Sequence, residues 1–164
     1  MRLRRVSVLG GSDPAVPAEH FEAASQLGRL FAESEITLIY DGSAEGPIGA
    51  LAAALSEANG LALSVVPQEL GERSDGLLAL PGGPEGLEEL LEHCLASPAE
   101  AEKPCGLLNT GDYFTGLLKA VPDEVVERFI RETQRGRLIV NRDPAELLRA
   151  MGDYRPPETR RLAL

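Results

Sequence analysis

The stretch Leu77–Cys94, LLALPGGPEGLEELLEHC, decides how the rest of the chain is read. It opens as an uninterrupted apolar run, which suits a strand buried on both faces. Two glycines then break the run, and a helix crowded with glutamate opens near Pro84. A glycine turn ahead of a helix usually receives a phosphate, because backbone N–H groups converge there at the positive end of the helix dipole. Here carboxylates stand in the turn and along the first turns of its helix.

The same strand, turn and helix grammar extends in both directions. Upstream, RRVSVLG (Arg4–Gly10) reads as a buried strand and GSDPAVP as the turn after it. AEHFEAASQLGRLFAES follows as a helix with Phe21, Ala24, Leu27, Leu30 and Phe31 on one face. ITLIYDG is a second buried strand, DGSAEGPIG a loop of small residues, and PIGALAAALSEANG a helix with Gly60 as its C-cap. LALSVVP is a third strand and DGLLALPGG the fourth.

Downstream, KPCGLLN (Lys103–Asn109) makes a fifth strand, DEVVERFIRETQRG a helix, and RLIVN a short sixth strand. DPAELLRAM is a helix capped by Asp143 with Pro144 at its first position. Apolar strands alternating with amphipathic helices predict an α/β fold: a Rossmann-like, doubly wound, mostly parallel sheet of about six strands with helices on both faces. Residues 1–150 form one domain on this reading, and 151–164 a Pro- and Arg-rich tail that is loose or draped on a partner subunit. In such sheets ligands bind beyond the carboxyl ends of the strands, where the strand order reverses. The glycine turns after strands one, two and four should therefore open at one edge.

Composition narrows the function classes. The 164 residues suit one core, and a formal charge of −10 argues against nucleic acid, whose binding needs clustered Lys and Arg. Cys94 and Cys105 are too few for a disulfide framework, lack metal-type spacing, and read as small buried residues. MRLRR is basic, but the apolar run after it is too short for a signal segment, and no run approaches the ~18 residues of a membrane span. The expectation is a cytoplasmic protein that engages neither nucleic acid nor membrane.

Each glycine turn alone is a weak sign, since tight turns need positive φ for purely structural reasons. Their order is more specific. VLGGS, then YDGSAEGPIGA, then LPGGPEGLEELLE, then KPCGLLN resembles the LONELY GUY (LOG) family, long labelled lysine-decarboxylase-like, over Arg5–Ala150. Characterised members are nucleoside 5′-monophosphate phosphoribohydrolases that release cytokinin bases, and the resemblance also implies a homodimer. Their pattern is a Gly-Ser turn after strand one, a GGGxxGxMG loop, and PGGxGTxxE. Gly11 and Ser12 match the first turn; Gly42, Gly46 and Gly49 match glycines of the second; Pro81, Gly82 and Gly83 match the third. With Ser43 and Gly86 these form the implied nucleotide-binding set. Glu89 falls on the glutamate of the motif, implied to act at the ribose beside an arginine while water displaces the base.

The chain departs from the pattern in two places. Asp41-Gly42-Ser43 replaces three glycines, and Pro84-Glu85-Gly86 replaces x-Gly-Thr, so acids stand where a dianionic phosphate should lie and a hydroxyl is missing at position 86. The M-x-x-R-K segment that carries the family's arginine, between strands three and four, is also absent; only PQELGERS joins them. If strand three is an outer strand and strand four lies beyond strand one, the link crosses ~14 Å of sheet and runs back ~17 Å. Eight extended residues reach ~26–29 Å, which leaves no room for a helix. Arg73 is the nearby substitute for the arginine.

Other candidates read as structural. Glu88 and Glu92 are solvated acids near a helix start, His20 and His93 surface or satisfied histidines, and Tyr40 and Tyr113 packing groups. Asp41, Glu45, Glu85 and Glu89 could together attract a hard cation or an amine, but scattered carboxylates are a poor metal site, so neither metal nor cofactor is expected. The expected function is binding of a nucleotide-like small ligand with weak or lost catalysis. The alternatives are an active phosphoribohydrolase, or a non-catalytic structural or regulatory subunit.

Overall fold

The structure, a computed structural model, describes residues 2–83, 85–96, 103–119, 124 and 138–155. The helix expected over 123–136, residue 124 apart, and positions 156–164 of the tail expected over 151–164 lie outside the described residues, as do the side chains of Glu85, His93 and Cys94.

Six strands form one all-parallel sheet: β1 (Arg5–Gly10), β2 (Thr37–Tyr40), β3 (Ala62–Ser64), β4 (Gly76–Leu80), β5 (Cys105–Leu108) and β6 (Leu138–Asn141). Their spatial order is β3-β2-β1-β4-β5-β6, so the order reverses between β1 and β4. Val6 pairs with Gly76 and Leu9 with Ala79 across that junction. The turns that follow β1 and β4 therefore emerge side by side.

The strands inside the sheet divide their side chains between two cores, as the two-residue period requires. On one face Val6, Val8, Leu38, Leu78, Leu80 and Leu108 join Leu27 and Phe31 of α1 (Ala18–Glu33), Leu51 and Leu55 of α2 (Gly46–Glu57), and Leu147 and Met151 of α5 (Pro144–Asp153). On the other face Leu9, Ile39, Leu77, Ala79, Cys105 and Leu107 meet Leu87 and Leu90 of α3 (Glu85–Ala96) and Phe114 of α4 (Tyr113–Lys119). Cys105 is buried in that second core, as expected of a small apolar residue.

Helix ends follow local chemistry. Asp143 caps α5 by accepting from Glu146 N–H at 2.9 Å, with Pro144 beginning the helix. At the end of α2 the left-handed residue is Asn59 (φ 61°), not the expected Gly60. Asn59 N–H bonds Ser56 O and Gly60 N–H bonds Leu55 O, the paired contacts of a Schellman turn. Asn tolerates positive φ better than other side chains, so the stop comes one residue early.

Two expectations about the third strand need correction. It is only three residues long and lies at the sheet edge with all three exposed; Leu61 is 70% exposed, Leu63 44% and Val66 56%. Because β3 ends at Ser64, the link to β4 begins at Val65 and has length to spare. It holds a 3₁₀ turn at Pro67–Glu69 rather than running fully extended. Leu70 packs into the second core, and its carbonyl accepts from the buried hydroxyls of Ser7 and Ser74. The link thus covers the sheet beside β1.

Candidate functional site

The loops after β1, β2 and β4 meet at the carboxyl edge of the sheet, backbone against backbone. A Cβ on Gly86 would lie 2.8 Å from Gly10 Cα; one on Gly82 would lie 2.9 Å from Gly11 Cα; one on Gly46 would lie 2.4 Å from Gly11 O. Ile48 N–H at the start of α2 donates to Gly11 O at 2.8 Å. Gly11, Gly46, Gly82 and Gly86 are therefore glycines because the turns interlock. Half-buried Ser12 and buried Pro81 complete this knot. Gly42 and Gly49 sit apart from it: a Cβ on Gly49 would meet Ala44 O of the second loop itself at 2.2 Å, and one on Gly42 would meet Ser64 Oγ at the end of β3 at 2.8 Å.

Gly83 differs. It has φ 88°, is half-buried, and a Cβ there would meet no described residue within 4 Å. This side of the turn, at the N-terminus of α3, is the candidate ligand cradle.

The rim is acidic, and most of its acids are tied to their own loops. Asp13 accepts from Ala15 N–H at 2.9 Å and Asp41 from Ser43 N–H at 3.0 Å. These Asx turns hold the loops in shape while leaving the carboxylates exposed. Glu45 precedes α2 without capping it, and is exposed. In the described loops after β1, β2, β4, β5 and β6 the one cation is Arg142, and Asp112 holds it by contacts of 2.6 and 2.9 Å. Among the described residues no group of three or more His, Cys, Asp or Glu is placed to hold a metal ion.

The wall opposite Gly83 comes from residues the sequence reading set aside. Tyr113 Oη accepts the Gly83 N–H at 3.0 Å. The ring stands edge-on to His20 at 5.5 Å and to Phe114 at 5.2 Å between centroids. Tyr113 thus packs, as expected, and also holds a polar position. Its loop is unusual: Gly111 and Asp112 both have positive φ (61° and 57°), and the Glu19 carboxylate lies where a Cβ on Gly111 would go.

His20 corrects an expectation. It is 4% exposed, and its Nδ1 has no hydrogen-bond partner among the described residues, so it is neither at the surface nor satisfied. Residues 20, 24, 27 and 31 share one helical stripe, and that spacing places His20 on the face of α1 that turns inward. The spacing was a signal available in the sequence. Nothing local pointed to the Tyr113–Gly83 contact, whose partners are thirty positions apart.

The two candidate catalytic residues are not brought together. Glu89 is exposed on α3, one turn beyond its start. Arg73 lies just before β4, where Asp75 N–H bonds Arg5 O and the Asp75 carboxylate accepts from Arg4 and Arg5 N–H. That is the amino edge of the sheet, a strand length (roughly 15 Å) from the glycine turns. Arg73 is about half exposed there and pairs with Glu69 at 3.6 Å.

Comparison with known proteins follows this geometry. A family model described as "Possible lysine decarboxylase" matches residues 65–151. A rice protein named "Probable cytokinin riboside 5'-monophosphate phosphoribohydrolase LOGL5" is 32% identical over 183 aligned positions, covering 95% of this chain and 74% of the rice protein. That alignment is longer than this chain, so the rice protein carries segments that this one lacks. The Arabidopsis thaliana protein "Cytokinin riboside 5'-monophosphate phosphoribohydrolase LOG7" is 30% identical, covering 94% and 84% of the two chains. Among solved structures, the molybdenum cofactor carrier protein of Chlamydomonas reinhardtii shares the fold, with a TM-score of 0.65 at 22% identity over 93% of this chain and 98% of that one. No helix among the described residues is long and apolar enough to cross a membrane.

Proposed function

This chain belongs to the lysine-decarboxylase-like LOG family, and from that premise we propose that it binds a nucleotide-like small ligand by its phosphate at the 81–86 turn, with hydrolysis weak or lost. The observation behind this reading is a frame whose described loops offer no unpaired cation. No described residue crowds the cradle at Gly83, which sits at the N-terminus of α3, whereas the one described cation of the surrounding loops, Arg142, is already paired with Asp112.

A helix terminus supplies about half a unit of positive charge, enough to help hold an anion. Displacing a base from ribose asks for more. An oxocarbenium-like sugar needs a carboxylate close by, and the departing group needs a counter-charge or a proton. Glu89 is the carboxylate in a position to serve, whereas Arg73, the arginine expected beside it, lies at the opposite edge of the sheet and pairs with Glu69. Exposed Asp41 and Glu45 add negative charge where the ligand also carries it. The family resemblance supports a homodimer, which sedimentation would read directly.

Calorimetric titration with AMP, followed by an assay for free adenine, tests this. The expected outcome is binding with adenine release at least ~100-fold slower than that of an active relative, a barrier difference of about 2.7 kcal/mol. Release at the relative's rate, abolished in Glu89→Gln, would instead establish the second reading, a working phosphoribohydrolase. The names of the relatives at about 30% identity favour that reading, which needs an arginine from outside this site, such as Arg73 of a second subunit. No melting shift at millimolar AMP would favour a purely structural role.

A further inference from the structure

The phosphate cradle has an unusual donor set. Pro84 has no N–H to offer, and the Gly83 N–H is already given to Tyr113 Oη. No side chain can be added at Gly86, because Gly10 Cα occupies the space. The first turn of α3 therefore cannot furnish a hydroxyl at that position. One hydroxyl does reach the turn, from the far side of the site, and it belongs to Tyr113.

A phenol accepts through its lone pairs and donates one proton. The Tyr113 oxygen accepts from Gly83, yet among the described residues no acceptor takes its proton. A half-buried hydroxyl whose proton no described residue takes, bonded to a glycine that no described residue crowds, is a donor waiting for an acceptor. The surroundings hold it there. His20 and Phe114 both pack edge-on with the ring, and the left-handed pair Gly111-Asp112, tied down by Arg142, leads the chain into α4. His20 itself is buried with Nδ1 unpartnered against the same ring, a second uncommitted polar atom in this wall.

We propose that Tyr113 is an anion-binding residue of the cradle: its hydroxyl, oriented and polarised by the Gly83 N–H, donates to a phosphate oxygen of the ligand. The contact converts a short backbone donor into a longer side-chain donor, which suits a turn that has lost an N–H at Pro84. Hydrogen bonds in such a chain strengthen one another, because a hydroxyl that accepts becomes a better donor. This rests on the reading that a phosphate-bearing ligand occupies the 81–86 turn, and it adds the residue that recognises the anion.

Tyr113→Phe tests it, since phenylalanine keeps the ring packing and removes only the oxygen. Calorimetry of wild type and variant with AMP, with inorganic phosphate and with adenosine separates the cases. The expected result is a loss of about tenfold or more in affinity for both AMP and phosphate, as for a hydrogen bond to a charged group, with the melting temperature kept. Equal or tighter binding by the variant overturns the proposal; tighter binding would mean that Tyr113 screens the Gly83 N–H from ligand. If wild type binds phosphate but not AMP, and the variant loses phosphate, the role of Tyr113 stands and the nucleotide reading falls. If wild type binds neither anion, both fall. A second measurement needs no variant: phosphate titrated into ¹⁵N-labelled wild type should move the Gly83 amide resonance strongly, and a stationary Gly83 resonance overturns the proposal.

Discussion

Gly82 and Gly83 are neighbours at positive φ (133° and 88°), yet they have different reasons to be glycine. Gly82 is pressed against Gly11, whereas no described residue crowds Gly83. Alanine at 83 adds only left-handed strain, about 1–2 kcal/mol. Alanine at 82 adds strain and a backbone clash together, about 3 kcal/mol or more. Urea melts of the two variants should rank in that order. Gly83→Ala should also weaken phosphate binding in calorimetry, because its Cβ enters the cradle. Equal stability losses would show that the turns interlock less tightly than the geometry requires.

Between elements, α1 meets α2 at close range. A Cβ on Gly28 would lie 2.4 Å from Leu51 O, so the two helices touch through backbone at that point. Helix propensity favours alanine over glycine by about 1 kcal/mol in a helix interior. Overpacking against a carbonyl that cannot swing away costs about 1–3 kcal/mol and leaves that carbonyl's helix distorted. The clash wins, so Gly28→Ala should lower the denaturation midpoint although the residue is nominally a better helix former. A higher midpoint would mean that α1 slides freely on α2. This contact matters for the site because α1 carries His20 and α2 begins at the Gly46 turn: both are set by how the two helices sit on β1 and β2.

Across the whole molecule, charge runs against the proposed ligand. The protein carries a formal charge of −10, and the described loops at the ligand edge hold one cation, already paired. A dianion approaching a basic pocket binds more weakly as salt rises, since salt screens attraction. Here the long-range field is repulsive, and attraction comes from short backbone and hydroxyl contacts that salt scarcely touches. AMP affinity should therefore hold steady or improve about two- to threefold between ~20 and ~200 mM sodium acetate, across which the screening length falls from roughly 20 to 7 Å. A steep loss of affinity with salt would reveal a cationic group at the site that the described residues do not contain.

How much of this was legible from the residues depended on distance along the chain. The Asp143-Pro144 cap, the alternation of strands and helices, and the carboxyl-edge position of the glycine turns all depend on neighbours within a few positions, or on periodicity. Local sterics, hydrogen bonding and apolar burial settle such features before any tertiary contact forms. The buried stripe with His20 was also written in the spacing, but a polar residue at its end is easily taken for a surface one. Where β3 stops, whether Asn59 or Gly60 closes α2, and which edge of the sheet receives Arg73 were matters of competing contacts and strand order. The pairing of Tyr113 with Gly83 belongs wholly to the tertiary structure. It exists because β4 and β5 lie side by side, so the turns that follow them meet in space, and no short-range rule links a tyrosine to a glycine thirty residues earlier.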